Sequence, residues 1–231
     1  RDYADCAGIE KTAPSAALAG AVKGKKLHFV PASRYYNALK LSELTGLKPE
    51  QHFSEGKKGC PAASLPLVRA LVSMRLVKDA QELALLDAAA DLGVEMHTAA
   101  RKGVKLGTIE QSVVGAMESV ALAKGWGVSF PTILTQHGEV FHCHSHEMPI
   151  EPGKLLVIDA GVESNEHYAS DFTRTYPTGG RYTTRQREIY QIVYECNELA
   201  YSLIKPGISY RDVHIAAAEH MLRRLGELGL V

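Results

Sequence analysis

Long apolar runs are missing from this chain. No stretch approaches the roughly 18 apolar residues that a membrane-spanning helix needs, and no secretory signal is visible, so neither a membrane nor a secretory route is implied. An excess of charge of one sign is missing too, since 26 Lys and Arg stand against 26 Asp and Glu. That balance implies neither a nucleic-acid face nor a strongly charged partner surface. Cysteine is scarce: Cys6, Cys60, Cys143 and Cys196 are scattered, with no Cys-x-x-Cys pair. Their spacing argues against structural zinc and a disulfide framework, and it fits a reducing, cytoplasmic setting. Repeats of roughly 20–50 residues and low-complexity tracts are also absent, which excludes solenoids and tandem arrays. What remains is a globular composition of 231 residues, 45% hydrophobic, enough for one large domain or two smaller ones.

The feature that stands out is a pair of aspartates in two β-like segments. Leu155-Leu156-Val157-Ile158 is continuously apolar and runs into Asp159-Ala160-Gly161. Asp171 opens the string Asp171-Phe172-Thr173-Arg174-Thr175-Tyr176, again of strand composition. Between them Glu163-Ser164-Asn165-Glu166 suits a tight turn. A hairpin turning at about Asn165 makes the aspartates direct cross-strand neighbours, with β-carbons roughly 4.5–5.5 Å apart. A surface hairpin tolerates such a pair, but the end of a buried apolar strand does not. There, two facing carboxylates repel unless a cation lies between them. One divalent metal ion, or a pair, would supply that charge.

The rest of the chain supplies a frame for the pair. Lys26–Val30 is predicted as a strand, Ser33–Gly46 as a helix ending at the glycine, and 67–76 as an extended lead into a second domain. The polar stretch Ser54-Glu55-Gly56-Lys57-Lys58-Gly59 separates two segments. From about residue 79 the pattern turns helical, with an apolar stripe of Leu83, Leu86, Ala90 and Val94. A second helix is predicted from Thr108, capped by a box with Gln111. Strand-like text covers 129–135, 140–144, 155–161 and 168–176. A box at Thr183 and Gln186 opens a helix with Ile189, Val193, Cys196 and Leu203 inside. A last helix spans about 210–228. Helix, helix, strands, helix, helix predicts an α+β fold with a mostly antiparallel sheet.

Histidine is dense between His137 and His146. On a strand, His142, His144 and His146 would share one face, which keeps a mononuclear zinc cluster open as an alternative. His214, Glu219 and His220 lack His-Glu-x-x-His spacing and read as a solvated helix face. Glu151-Pro152-Gly153 reads as a turn into the following strand.

The string Asp159-Ala160-Gly161 with Asp171-Phe172-Thr173-Arg174-Thr175 resembles the first half of the metal centre in the pita-bread metallopeptidases. Arg75, Lys78 and Glu82 resemble the Arg-x-x-Lys-x-x-x-Glu lead into the catalytic domain of the proline-specific branch. His142, seventeen residues before Asp159, falls where that branch keeps an active-site histidine. The resemblance covers about residues 75–210. The aspartates lie twelve apart where the family usually has eleven, and an added turn residue forming a three-residue loop or bulge would preserve the pairing.

The resemblance implies the creatinase/aminopeptidase-like pita-bread catalytic domain, its first half only, over 74–231. Residues 1–73 would be the C-terminal part of an α/β N-terminal domain. It implies an Xaa-Pro aminopeptidase, with Xaa-Pro dipeptidase (prolidase) or a non-catalytic pita-bread binding module as alternatives. Its substrate would be a peptide with proline second, and its assembly a dimer. Two divalent metal ions would be held in part by Asp159 and by a bridging Asp171, with His142 giving a hydrogen bond in the catalytic cleft. Thr173 would hold the Asp171 carboxylate, and Arg174 would be an ion-pair partner or a substrate anchor. Carboxylates with one imidazole favour manganese, with cobalt or zinc as alternatives. The family's other ligands, one histidine and two glutamates, are expected beyond residue 231. The start at Arg1 fits a fragment, so the 231-residue chain alone is expected to be incomplete and inactive.

Overall fold

The computed structural model describes residues 11–53, 60, 62–140 and 142–231. The predicted 54–59 separator and Cys6 lie outside the described residues. The chain divides into two compact units, Arg1–Asp79 and Ala80–Val231.

The first unit is helical where it is regular: α1 (Leu18–Val22), α2 (Tyr35–Thr45) and α3 (Leu65–Leu76). Helix α2 ends as predicted at Gly46, whose φ of 72° is a left-handed stop that glycine adopts without strain. Residues 26–30 do not form the predicted strand. Leu27 and Phe29 do turn inward alternately, but the nearest pairing is a single parallel bridge between Ala32 and Phe53. Alternation without a ladder partner leaves an extended segment. The predicted extended lead at 67–76 is helix instead, because the Ser64 side chain caps the N–H of Leu67 and Pro66 sits where a helix start needs no donor.

The second unit carries α4 (Ala80–Gly103) and α5 (Glu110–Ala123), strands β1 (Gly127–Val128), β2 (Ile133–Thr135), β3 (Leu155–Ala160), β4 (Val162–Glu163) and β5 (Phe172–Pro177), and then α6 (Thr184–Leu203) and α7 (Tyr210–Glu227). The predicted order and the antiparallel pairing hold. One sheet runs β2-β3-β5 and a second pairs β1 with β4. Helices α4 and α5 pack on each other and on the sheet around Met96, Val113, Met117, Leu134, Leu156 and Ile158, all 0–1% exposed. Burying side chains of this size stabilises the fold by about 1.5–3 kcal/mol each.

Helix α4 is turned away from the predicted stripe. Leu83 and Val94 are 52% and 58% exposed, whereas Ala89, Gly93, Met96, His97 and Ala100 face inward. Close approach decides this phase: a Cβ on Gly93 would lie 2.7 Å from Ser170 Oγ and 2.8 Å from the Phe172 ring. The helix therefore meets β5 at Gly93, with His97 one turn on standing edge-on to the Phe172 ring.

Helix α6 is capped as its sequence predicts: Thr183 Oγ1 accepts from Gln186 N–H at 3.2 Å and Gln186 Oε1 accepts from Thr183 N–H at 3.0 Å. Inside it Cys196 is buried as expected, but Val193 is exposed and Ile192 takes the inward position. Its tie to α7 is ionic. Glu195 meets His220 Nε2 at 3.0 Å and Arg224 Nε at 2.9 Å. Among the described residues no helix is long and apolar enough to cross a membrane.

His220, then Arg224, hold the Glu195 carboxyl down to about 2 against an ordinary 4.5. A depressed folded-state value means that this stabilisation is complete above about pH 4.5 and is lost as pH falls toward 2. Thermal melting of Glu195→Gln should fall below the wild type at pH 6 and converge on it as pH drops to about 2. Equal melting temperatures at pH 6 would show that the cluster does not hold α6 to α7.

Candidate metal centre

Strand β3 carries Asp159 out of the apolar run between Ile133 of β2 and Thr173 of β5. The hairpin is not centred on Asn165. Ser164 N–H donates to Tyr168 O, Glu163 bridges Ala169, and Ser170 N–H donates to Val162 O, which centres the turn on Glu166. The loop is three residues long, as the twelve-residue spacing suggested, and His167 takes a left-handed φ of 66° to close it. The one-residue shift means that Asp159 and Asp171 are not directly opposite. Asp159 faces Thr173, and the register carried on sets Asp171 across from Gly161, diagonal to Asp159 on the same face.

The diagonal is closed all the same. Asp171, although exposed at one side, is raised above its ordinary value, first by partial desolvation, then by the charge of Asp159 and a hydrogen bond with it. Asp159 Oδ1 is buried and, among the described residues, has no hydrogen-bond partner. Two carboxylates in contact, one with an orphaned oxygen, suit a divalent cation, which removes the repulsion and fills the empty acceptor. The residues present therefore fit the metal that their chemistry implies. They do not complete its ligand set, because among the described residues no group of three or more His, Cys, Asp or Glu converges.

Backbone geometry at Gly161 allows the contact. A Cβ there would lie 1.8 Å from Ser170 O and 2.6 Å from Ser129 Oγ. Ser129 Oγ donates to Ser170 O at 2.8 Å, and Ser170 Oγ accepts from Val162 N–H at 3.2 Å. These bonds hold the chain just before Asp171 against the chain just after Asp159.

Both aspartates open onto a cleft of about 330 Å³ lined also by Phe130, Pro131, Ile133, His142 and His144. The predicted strand at 140–144 does not form among the described residues; His142 has a left-handed φ of 55°, which breaks an extended run. The one-faced zinc cluster fails with it. His142 and His144 reach the cleft, but His146 is buried, with Nδ1 3.0 Å from Leu134 O. His137 pairs at the surface with Glu139.

The other sequence candidates fall elsewhere. The Thr173 hydroxyl makes no hydrogen bond among the described residues, and Thr173 is the direct cross-strand neighbour of Asp159. Arg174 lies on the opposite face, with its guanidinium 5.9 Å from the Phe172 ring centre and a donated bond to Thr173 O. Glu82 accepts from the Tyr168 hydroxyl at 2.8 Å, and Lys78 donates to Arg75 O. His220 serves the α6–α7 tie, and Gly153 is the left-handed turn before β3. Sequence reasoning missed Glu110 and Gln136, both buried beside the histidine loop. An acid at the head of an otherwise apolar helix face was the available signal.

Residues 84–230 match the model of metallopeptidase family M24. The chain is 39% identical over 166 residues to Xaa-Pro aminopeptidase 2 of Streptomyces coelicolor, covering 70% of this chain and 35% of that protein. Xaa-Pro aminopeptidase 1 of the same organism is 34% identical over 165 residues. Among solved structures, an Escherichia coli aminopeptidase P variant in complex with substrate superposes with a TM-score of 0.81 at 26% identity, over 99% of this chain and 53% of that one. Pseudomonas aeruginosa aminopeptidase PepP superposes at 0.77 and 25% identity. The chain thus spans about a third of those curated relatives and about half of those solved chains.

Two outcomes follow from the contact. A raised value for Asp171 means that the folded state is penalised as pH rises through it, with no penalty below the carboxylate range. Without metal, Asp171→Asn should therefore melt at a higher temperature than the wild type at pH 7 and lose that advantage in acid, while its divalent-metal uptake falls. A lower melting temperature at pH 7 would show that the carboxylates do not repel. Gly161→Ala should cost about 1–3 kcal/mol, since the Ser170 backbone and the Ser129 side chain must both move; a denaturant titration reads this directly.

Proposed function

The chain belongs to metallopeptidase family M24, and on that premise we propose that its parent protein is a metal-dependent exopeptidase that releases an N-terminal residue from a following proline. Its fold is the pita-bread α+β architecture of its structural neighbours. The observation that carries the reading is the Asp159–Asp171 contact, with its orphaned oxygen, on a cleft shared with His142.

In this proposal Asp159 and Asp171 would hold the cations from the protein side. Cations held there would polarise the scissile carbonyl and supply a nucleophilic water near neutral pH. His142 projects from its loop into the same cleft and donates a hydrogen bond to the oxygen on which charge develops. Phe130, Pro131 and Ile133 give the cleft an apolar side that suits a proline ring. Manganese is the favoured ion because carboxylate oxygens are hard donors, with cobalt or zinc as alternatives; one E. coli aminopeptidase P structure is zinc-substituted and holds product. Free thiols at Cys60, Cys143 and Cys196 support a reducing, cytoplasmic setting. A dimer and the 1–73 and 74–231 domains belong to the same proposal. The proposed domain boundary falls within α3, near the break between the compact units at 79/80.

Two carboxylates leave each cation mostly to water, so residues 1–231 by themselves should bind manganese weakly and cleave nothing. Calorimetric titration showing two tightly bound manganese ions would overturn this. For the intact natural protein with manganese, Arg-Pro-Pro should be cleaved. Hydrolysis of an Xaa-Pro dipeptide alone would identify a dipeptidase, and no cleavage of either would favour a non-catalytic binding module. Replacing His142 by Ala should lower kcat by about 10²-fold with little change in KM.

A further inference from the structure

One buried acid has no part in the chemistry above. Glu110, the first residue of α5, is 1% exposed, and no Lys, Arg or His pairs with it among the described residues. Its Oε1 accepts from Gln136 twice, from the backbone N–H at 3.0 Å and from side-chain Nε2 at 3.1 Å. Burying a carboxylate without a cation is costly, and an apolar side chain would fill the space without that cost. What an apolar side chain cannot do is accept two N–H bonds from one residue.

Gln136 directs the rest of its amide to the far end of the loop that it begins. Its Nε2 donates to Pro149 O at 3.0 Å, and its Oε1 accepts from Glu151 N–H at 2.7 Å. The backbone repeats the tie. The first free N–H groups of α5, those of Glu110 and Gln111, donate to Met148 O at 3.0 Å and His146 O at 2.8 Å, and Ile150 N–H donates to Thr108 O at 2.9 Å. Both ends of segment 137–148 are thereby fixed to the start of α5 and to one another. The middle of that segment brings His142 and His144 to the aspartate cleft.

We infer that Glu110, acting through Gln136, is a positioning residue that sets where His142 and His144 stand relative to Asp159 and Asp171. Its catalytic consequence rests on the peptidase reading above, whereas its effect on the loop rests on the geometry alone.

The test uses the intact natural protein with manganese and two readouts. In Glu110→Ala and in Gln136→Leu, amide hydrogen exchange in 137–148 should quicken by about tenfold or more while β3 and β5 stay unchanged. With Arg-Pro-Pro, kcat should fall by about tenfold or more with KM within about threefold. Glu110→Gln keeps one acceptor oxygen and should recover part of the loss. In a His142→Ala background Glu110→Ala should cost no more than about twofold, because its effect passes through that histidine. Unchanged exchange in the loop, exchange quickened equally in β3 and β5, or the full loss repeated in the His142→Ala background would each overturn the inference. Should Glu110→Ala not fold, Gln136→Leu and Glu110→Gln give the same readouts. A wild type that cleaves nothing removes the peptidase reading, and loop exchange then decides the positioning role by itself.

Discussion

Repulsion between two carboxylates is the constraint around which the second unit is built. Asp159 and Asp171 interact across one cleft, and among the described residues one oxygen of Asp159 is buried without a hydrogen-bond partner. Like charge on the two carboxylates opposes that approach, so the surrounding structure must hold it. The hydrogen bonds from Ser129 to Ser170 and from Val162 to Ser170 do so from one side, and the absence of a side chain at Gly161 lets them. Strain of this kind, stored where a ligand would relieve it, is the usual mark of a functional site.

The layers behind the pair are arranged for the same end. Helix α4 approaches β5 through Gly93, which brings its backbone close to Ser170 and Phe172. His97 follows one turn later, 94% buried because it is 6% exposed, with Nε2 3.2 Å from Ala160 O, next to Asp159 in the chain. Helix α5 works differently: its free N–H groups reach the carbonyls of the histidine loop instead of a capping side chain. One helix steadies the strand that bears the first aspartate, and the other steadies the loop that bears the histidines.

The two capping boxes of the sequence show how far local signals carry. Thr183 and Gln186 form theirs, since nothing competes for those N–H groups at an exposed helix start. Thr108 and Gln111 do not: Ile150 donates to Thr108 O, and the loop carbonyls of His146 and Met148 take the N–H groups of Gln111 and Glu110. The apolar stripe of α4 misled for a related reason. Periodicity ranks faces by apolar character, whereas close packing against β5 selected the face that carries Gly93. The hairpin register slipped by one residue because composition marks a turn but not which residue takes the left-handed angle, here His167.

By itself the sequence determined the order of the second unit's helices and strands, the antiparallel pairing of β3 with β5, and the pair of aspartates at one end of that hairpin. Each depends on composition and spacing along a short stretch, which local propensities and the turn-forming residues decide. Only the tertiary structure decided that the pair meets on a diagonal, that His142 and His144 reach the cleft while His146 turns inward, and that Glu110 and Gln136 lie behind them. Those outcomes depend on which groups from distant segments compete for the same N–H, carbonyl or volume, and no local pattern encodes that competition.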